Sequence, residues 1–212
     1  MRLRNIPGAK EEMLVNPYVI RDPETRKGSW KQEVFGNGRP LYVEIGCGKG
    51  RFLCQMAEEH PEVSFIGIEK FSSVLLRALQ KRAAMEADNL FFLRFDAEGL
   101  TEIFGPGEVD RIYLNFSDPW PKDRHWKRRL TSTEFLKRYD AVLAPEGTIE
   151  FKTDNEGLFD FSVESVKEYG WQTPVLTRDL YHSPYAEGNV LTEYEDRFAT
   201  LGKPIFKMII RR

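Results

Sequence analysis

From Leu41 onward, short apolar runs alternate with longer stretches whose apolar residues recur every three or four positions. The first kind of run predicts strands and the second predicts helices with one buried face; their alternation predicts βαβ units and a parallel sheet. LYVEI (41–45), SFIGIE (64–69), LFFLRF (90–95), VDRIYLNF (109–116) and GTIEFKT (147–153) read as strands, and IFKMII (205–210) as a final one. Between the second and third, Phe71, Val74, Leu75, Ala78, Leu79 and Arg82 keep helical spacing, with Ser72 and Ser73 placed to cap the start. STEFLKRYDAVLAP predicts a helix ended by Pro145 and Gly147, NEGLFDFSVESVKEYG one ended by Gly170, and a short helix begins near Thr192. Residues 1–39 are the least regular part, and within them GSWKQEVFG predicts a helix.

This pattern predicts two parts: an N-terminal extension (1–39), partly flexible, and one α/β domain (40–212). With 41% hydrophobic residues and 15 Phe, the chain can bury a core. A formal net charge of -2 names no partner, so only the distribution of charge can. No apolar run approaches the length of a membrane span, and MRLRNIPGAKEE lacks the apolar block of a signal peptide. Cys47 and Cys54 have no ligand-spaced neighbours and read as buried thiols. A cytoplasmic protein with no metal is expected.

YVEIGCGKGRFLCQMA is a strand, a turn with Gly46, Gly48 and Gly50, and a helix. Its G-x-G-x-G spacing is neither the dinucleotide fingerprint nor the phosphate-binding P-loop. Glu44, just before the turn, would repel a pyrophosphate and attract a cation or a donor, which suits the ammonium and sulfonium of S-adenosylmethionine. Glu69 ends the second strand, where a carboxylate can accept ribose hydroxyls, and Asp96 follows the third, where it could take an adenine amino group. Any one of these acids could equally be a helix cap; together with the glycine turn they point to a cofactor. EIGCGKG resembles the first motif of class I S-adenosylmethionine-dependent methyltransferases. That resemblance implies a Rossmann-like fold: a seven-stranded, mostly parallel sheet with an antiparallel C-terminal strand and helices on both faces.

The fourth strand runs into NFSDPWP, in which Pro119 and Pro121 stiffen a turn around Asp118. Next comes KDRHWKRR: Lys122, Arg124, Lys127, Arg128 and Arg129 with His125 and Trp126 between them. A charge run alone is as readily a solvated face, but one placed beside the donor methyl suits a nucleic acid, its phosphates neutralised and a base stacked. Asp154 in FKTDN and Glu193 and Glu195 in LTEYEDRF are acids that could accept from guanine, although Thr192 with Glu195 is also a capping box.

Taken together, EIGCGKG, GIEK, NFSDPWPKDRHWKRRL, FKTDN and LTEYEDRF resemble the bacterial tRNA (guanine-N7)-methyltransferases, from about residue 40 to the end. The resemblance implies S-adenosylmethionine as methyl donor and methylation of a guanosine in the tRNA variable loop. It implies that Glu44, Glu69, Asp96 and Asp118 bind the cofactor or act at the active site. Lys122, Asp154 and Thr192, Glu193, Tyr194 and Glu195 would bind substrate, with residues 124–129 on RNA. The extension, which carries Arg2, Arg4 and Lys10, would order on tRNA. Two competing readings are a methyltransferase for a small molecule or protein, and a non-enzymatic RNA-binding module with a degenerate glycine loop. The sequence leaves monomer and homodimer open.

Overall fold

In the computed structural model, which describes residues 6–199 and 202–212, the apolar runs pair into one seven-stranded sheet of order β3-β2-β1-β4-β5-β7-β6. The strands are β1 (Leu41–Ile45), β2 (Ser64–Glu69), β3 (Leu90–Arg94), β4 (Val109–Asn115), β5 (Leu143–Thr153), β6 (Gln172–Thr177) and β7 (Phe206–Arg211). Strands β1 to β5 pair in parallel, and β7 runs antiparallel to both β5 and β6. The helices are α1 (Ala9–Val15), α2 (Arg51–Glu59), α3 (Ser72–Arg82), α4 (Leu100–Ile103), α5 (Thr133–Val142), α6 (Glu156–Tyr169) and α7 (Glu193–Ala199). None of the described helices is long and apolar enough to cross a membrane.

Alternation along the strands gives each face of the sheet its own core. Val43, Ile112, Leu114, Ile149 and Phe151 pack with α4, α5 and α6 through Leu100, Leu136, Tyr139 and Phe159. On the opposite face Phe65, Phe92 and Tyr113 meet Phe52, Leu53, Leu75 and Leu79 of α2 and α3. Cys47 and Cys54 are free and buried there, and burial pushes both thiols up, so neither is a ready thiolate.

The extension is anchored by few but large contacts. Trp30 is fully buried, and its indole N–H donates to Ile103 O at 2.7 Å. Glu108 accepts the amides of Gly28, Trp30 and Gly105. Val19 forms a parallel bridge to Phe92, which covers part of the β3 edge. Arg2 and Arg4 lie outside the described residues.

Local details differ from expectation. The helix begun at Thr133 ends at Val142, and Leu143, Ala144, Pro145 and Glu146 belong to β5. Pro145 is exposed, and the β4–β5 register shifts between Val109 and Arg111, so its missing N–H falls where the ladder is already irregular. Ser72 and Ser73 do not cap α3: Glu69 Oε1 accepts the Phe71 amide, and Ser73 Oγ accepts that of Ile6. GSWKQEVFG forms only a wide turn over Trp30–Val34, with Phe35 N–H donating to Trp30 O. Strand β6, an edge strand holding Pro174, was hidden by that proline and by its lack of a buried face.

Candidate active site

All five parallel strands present their carboxyl ends on one edge. At the end of β1 the glycines take left-handed conformations, with φ of 75° at Gly46, 59° at Gly48 and 76° at Gly50. They serve different ends. A Cβ at Gly50 would stand 2.6 Å from Ala78 Cβ, so this glycine lets α2 and α3 touch, whereas one at Gly46 would meet nothing and one at Gly48 only the Gly46 carbonyl at 3.9 Å.

The three strand-end acids also differ. Asp96 is the local cap that the simpler reading offered: its carboxylate accepts the Glu98 amide at 3.2 Å and pairs with Lys70 at 2.5 Å. Burial works against its charge, yet Lys70 and the amide hold its pKa below the usual range. Glu69 ties the glycine turn to α3, accepting from Gly48 N–H at 3.2 Å and Phe71 N–H at 2.9 Å. Its pKa is raised, chiefly by burial against those amides, with Asp118 adding like charge.

Glu44 caps nothing. It is 2% exposed and receives one bond, from Asn115 Nδ2 at 2.8 Å. Its Oε2, Asn115 Oδ1 and Ser117 Oγ are buried without hydrogen-bond partners among the described residues. Unpaired buried polar atoms are costly, so three of them at the adjoining ends of β1 and β4 mark a place built for a ligand. Burial pushes the Glu44 carboxyl up to about 8, against the Asn115 bond and the charge of Lys152. A cationic ligand with N–H donors would supply what these atoms lack.

The turn after β4 is strained. Phe116 (φ 52°) and Trp120 (φ 42°) are the non-glycine residues with positive φ among those described, each costing about 1–3 kcal/mol. Between them Asp118 is exposed and has no hydrogen-bond or ion-pair partner among the described residues. Arg129 donates to Pro119 O at 3.1 Å and to Trp120 O at 3.1 Å. The basic strip is a 3-10 turn, Asp123–Arg128, folded around Trp120. Arg128 lies 4.9 Å over that ring and the His125 ring meets it edge-on at 5.7 Å. Lys127 lies over Trp126, and Arg124 Nε donates to His125 Nε2. Lys122, Arg124, Lys127 and Arg128 are exposed, while His125, Trp126 and Arg129 are half-buried.

The C-terminal segment reaches the same edge. The Tyr194 ring packs on Phe116 at 5.1 Å, and its hydroxyl donates to Asp154 at 3.2 Å. Thr192 and Glu195 form the capping box: Thr192 Oγ1 accepts the Glu195 amide at 3.0 Å, and Glu195 reaches back to the Thr192 amide. Glu195 is fully buried in an ion pair with Lys152 at 2.9 Å and accepts from Tyr181 and Asn189. Glu193 pairs with Lys81, and Asp196 with Arg51, so α7 is tied to α3 and α2. The structure thus brings Asp118, Tyr194 and Asp154 to the site, and buries Thr192 and Glu195. Asn115, Ser117 and Lys152 escaped the sequence reading. Lys152 alternates with buried Phe151, which reads as a solvent-facing position, and only its pairing across the fold shows otherwise.

A family model described as "Putative methyltransferase" matches residues 38–208. A tRNA (guanine-N(7)-)-methyltransferase of Lachnoclostridium phytofermentans is 60% identical over 100% of this chain and 99% of its own length. The protein of the same name from Bacillus subtilis is 49% identical over 98% and 97%. Among solved structures, the 16S rRNA methyltransferase KamB is similar at a TM-score of 0.62 and 15% identity, over 84% of this chain and 90% of that one. A 16S rRNA (adenine(1408)-N(1))-methyltransferase from Catenulisporales acidiphilia, solved with cosubstrate SAM, gives 0.58 at 16% identity over 90% and 91%. At such identity these two structures speak to the fold alone.

Proposed function

The chain belongs to the tRNA (guanine-N(7)-)-methyltransferase family, and on that footing we propose how its own residues perform the transfer of a methyl group from S-adenosylmethionine to N7 of a guanosine in the tRNA variable loop. The cofactor supplies an electrophilic methyl on a sulfonium. One observation carries the assignment: three unpaired buried polar atoms stand at the ends of β1 and β4, beside a strained turn that offers Asp118 and a basic, aromatic strip.

In this reading Glu44, Asn115 and Ser117 hold the cationic end of the cofactor. Gly46 and Gly48 let it approach the backbone, with Glu69 and Asp96 on its ribose and adenine. N7 of guanine has an in-plane lone pair and no proton, so attack needs no general base and alignment dominates the rate. As charge moves onto the guanine, Asp118 stabilises it and accepts from the base. Lys122, Asp154 and Tyr194 face the guanosine, while Thr192 and Glu195 hold Tyr194 and Glu193 in place from behind. Arg124, His125, Trp126, Lys127 and Arg128 hold the phosphates and stacked bases around it. Ile6 N–H bonds Ser73 at the start of α3, so the extension meets the domain on this edge and can add tRNA contacts. A cytoplasmic location suits such a substrate.

The test is nucleotide mapping after incubation with labelled cofactor and bulk tRNA. Label on N7 of one variable-loop guanosine is expected. Label in metabolites or protein, with none in tRNA, would overturn the reading.

A further inference from the structure

We infer that Arg129 is a positioning residue for Asp118 and not a phosphate contact, an inference that rests on the methyl-transfer reading above. The strip runs without a break through Arg128 and Arg129, yet the two guanidinium groups live in different surroundings. Arg128 is exposed, lies over the Trp120 ring and donates no side-chain hydrogen bond among the described residues. Arg129 is half-buried, and its Nε and Nη2 are spent on the carbonyls of the two residues that follow Asp118, with a weaker third contact of 3.4 Å from Nε to Trp120 O. Its Cζ lies 4.2 Å from the centroid of the Phe161 ring, on α6. With Nε and Nη2 turned to the two carbonyls, the side-on pair of donors that would clasp an RNA phosphate is already taken, and only Nη1 has no partner among the described residues.

What it holds is the part of the turn that would otherwise relax. Trp120 sits at φ 42°, a conformation a bulky L-residue leaves unless its surroundings fix it. The fork of Arg129 ties the two peptides that flank Trp120 to α6, and so sets where the Asp118 carboxylate points. Lysine cannot replace it, since one ammonium lacks the planar fork that spans two acceptors and stacks on a ring. Arg129→Lys therefore separates the two roles: it keeps the charge and removes the fork.

The experiment measures single-turnover methylation at saturating tRNA and cofactor, the salt dependence of tRNA binding, cofactor affinity and melting temperature. It compares wild type, Arg129→Ala, Arg129→Lys and Arg128→Ala. A wild type that leaves tRNA unmethylated sinks the functional reading and is seen before any variant is compared. With an active wild type, Arg129→Ala and Arg129→Lys should both lose about tenfold to a hundredfold in rate, the scale of a small misplacement. Their salt slopes and cofactor affinities should match wild type, while Arg128→Ala loses about one unit of slope. A wild-type rate in Arg129→Lys, or a unit of slope lost in Arg129→Ala with its rate intact, would return Arg129 to the phosphates. Loss of cofactor affinity and melting temperature together would make it a general structural residue. If Arg129→Ala does not fold, Arg129→Lys decides alone.

Discussion

At the ends of β2 and β3, the acids of the site are held mainly by backbone amides. Glu69 takes those of Gly48 and Phe71, and Asp96 takes that of Glu98 together with the Lys70 ammonium from the residue after Glu69. At the ends of β4 and β5 the holding groups are side chains drawn from far along the chain. Lys152 reaches Asn189, Val190 and Glu195, 37 to 43 positions on, and Asp154 takes the Tyr194 hydroxyl from 40 away. In the proposed assignment the ribose and adenine end of the cofactor half rests on local turns, while the substrate half depends on contacts from the C-terminal segment. On that proposal the C-terminal segment completes the surface assigned to the guanosine, and it contributes less to the surface assigned to the cofactor.

The largest expected effect comes from the buried pair that fastens this segment. Lys152 and Glu195 are both fully buried, so removing one leaves an uncompensated charge. Lys152→Met or Glu195→Leu alone should cost about 3–5 kcal/mol, about 6–20 °C in melting temperature. The double variant, which leaves no orphan charge, should recover most of that. On the other half Glu69→Gln keeps one oxygen for one of the two amides and turns a donor toward the other, so it loses one bond and should cost about 1–3 kcal/mol. Calorimetry on these four variants beside wild type breaks the comparison if Glu69→Gln is the more costly change, or if the double variant is as unstable as the singles.

Next in size is Asp118, which the proposal sets against the guanosine and which makes no contact that would lend stability among the described residues. It is exposed and unpaired among the described residues. Asp118→Ala should leave melting temperature and cofactor affinity near wild type and lower single-turnover methylation by about tenfold to a thousandfold. An unchanged rate removes Asp118 from the chemistry.

The same division explains what could be read from the chain. Strands β1 to β5 and β7 follow from apolar runs, and the glycine turn with Glu69 from residues within one βαβ unit, because the interactions involved are local; Glu44 was legible as a strand-end acid, but its partner Asn115, 71 positions on, was not. Strand β6 is an edge with Pro174, and the end of α5 depends on Leu143 finding Val109 across the sheet; neither has a local cause. Thr192 and Glu195 were legible as a capping box, but the burial of Glu195 was not, since its partner lies in another strand. Arg129 looked like one more member of a basic strip. Its difference from Arg128 is a matter of two carbonyls and a ring, invisible in a string of like charges.

The smallest effect concerns Glu44, where the two halves join through Asn115. Burial raises its pKa to about 8 from an ordinary 4.5, so in the cofactor-free protein near neutral pH the carboxyl is mostly protonated. A cationic ligand at its free oxygen favours the carboxylate, so binding should release a proton. Affinity should then rise with pH, at most about tenfold per unit, and level off above about 8. Stability moves the other way. The unfolded chain loses this proton near 4.5 and the folded chain near 8, so the protonated acid favours the fold, and that contribution falls as pH climbs between the two values. Glu44→Gln should flatten both trends while binding the cofactor more weakly. Calorimetric titration in two buffers of different ionisation enthalpy reads the proton directly. If no proton is released below neutral pH, or if Glu44→Gln keeps the wild-type pH slope, Glu44 does not meet the cation, and the unpaired atoms beside it serve some other part of the ligand.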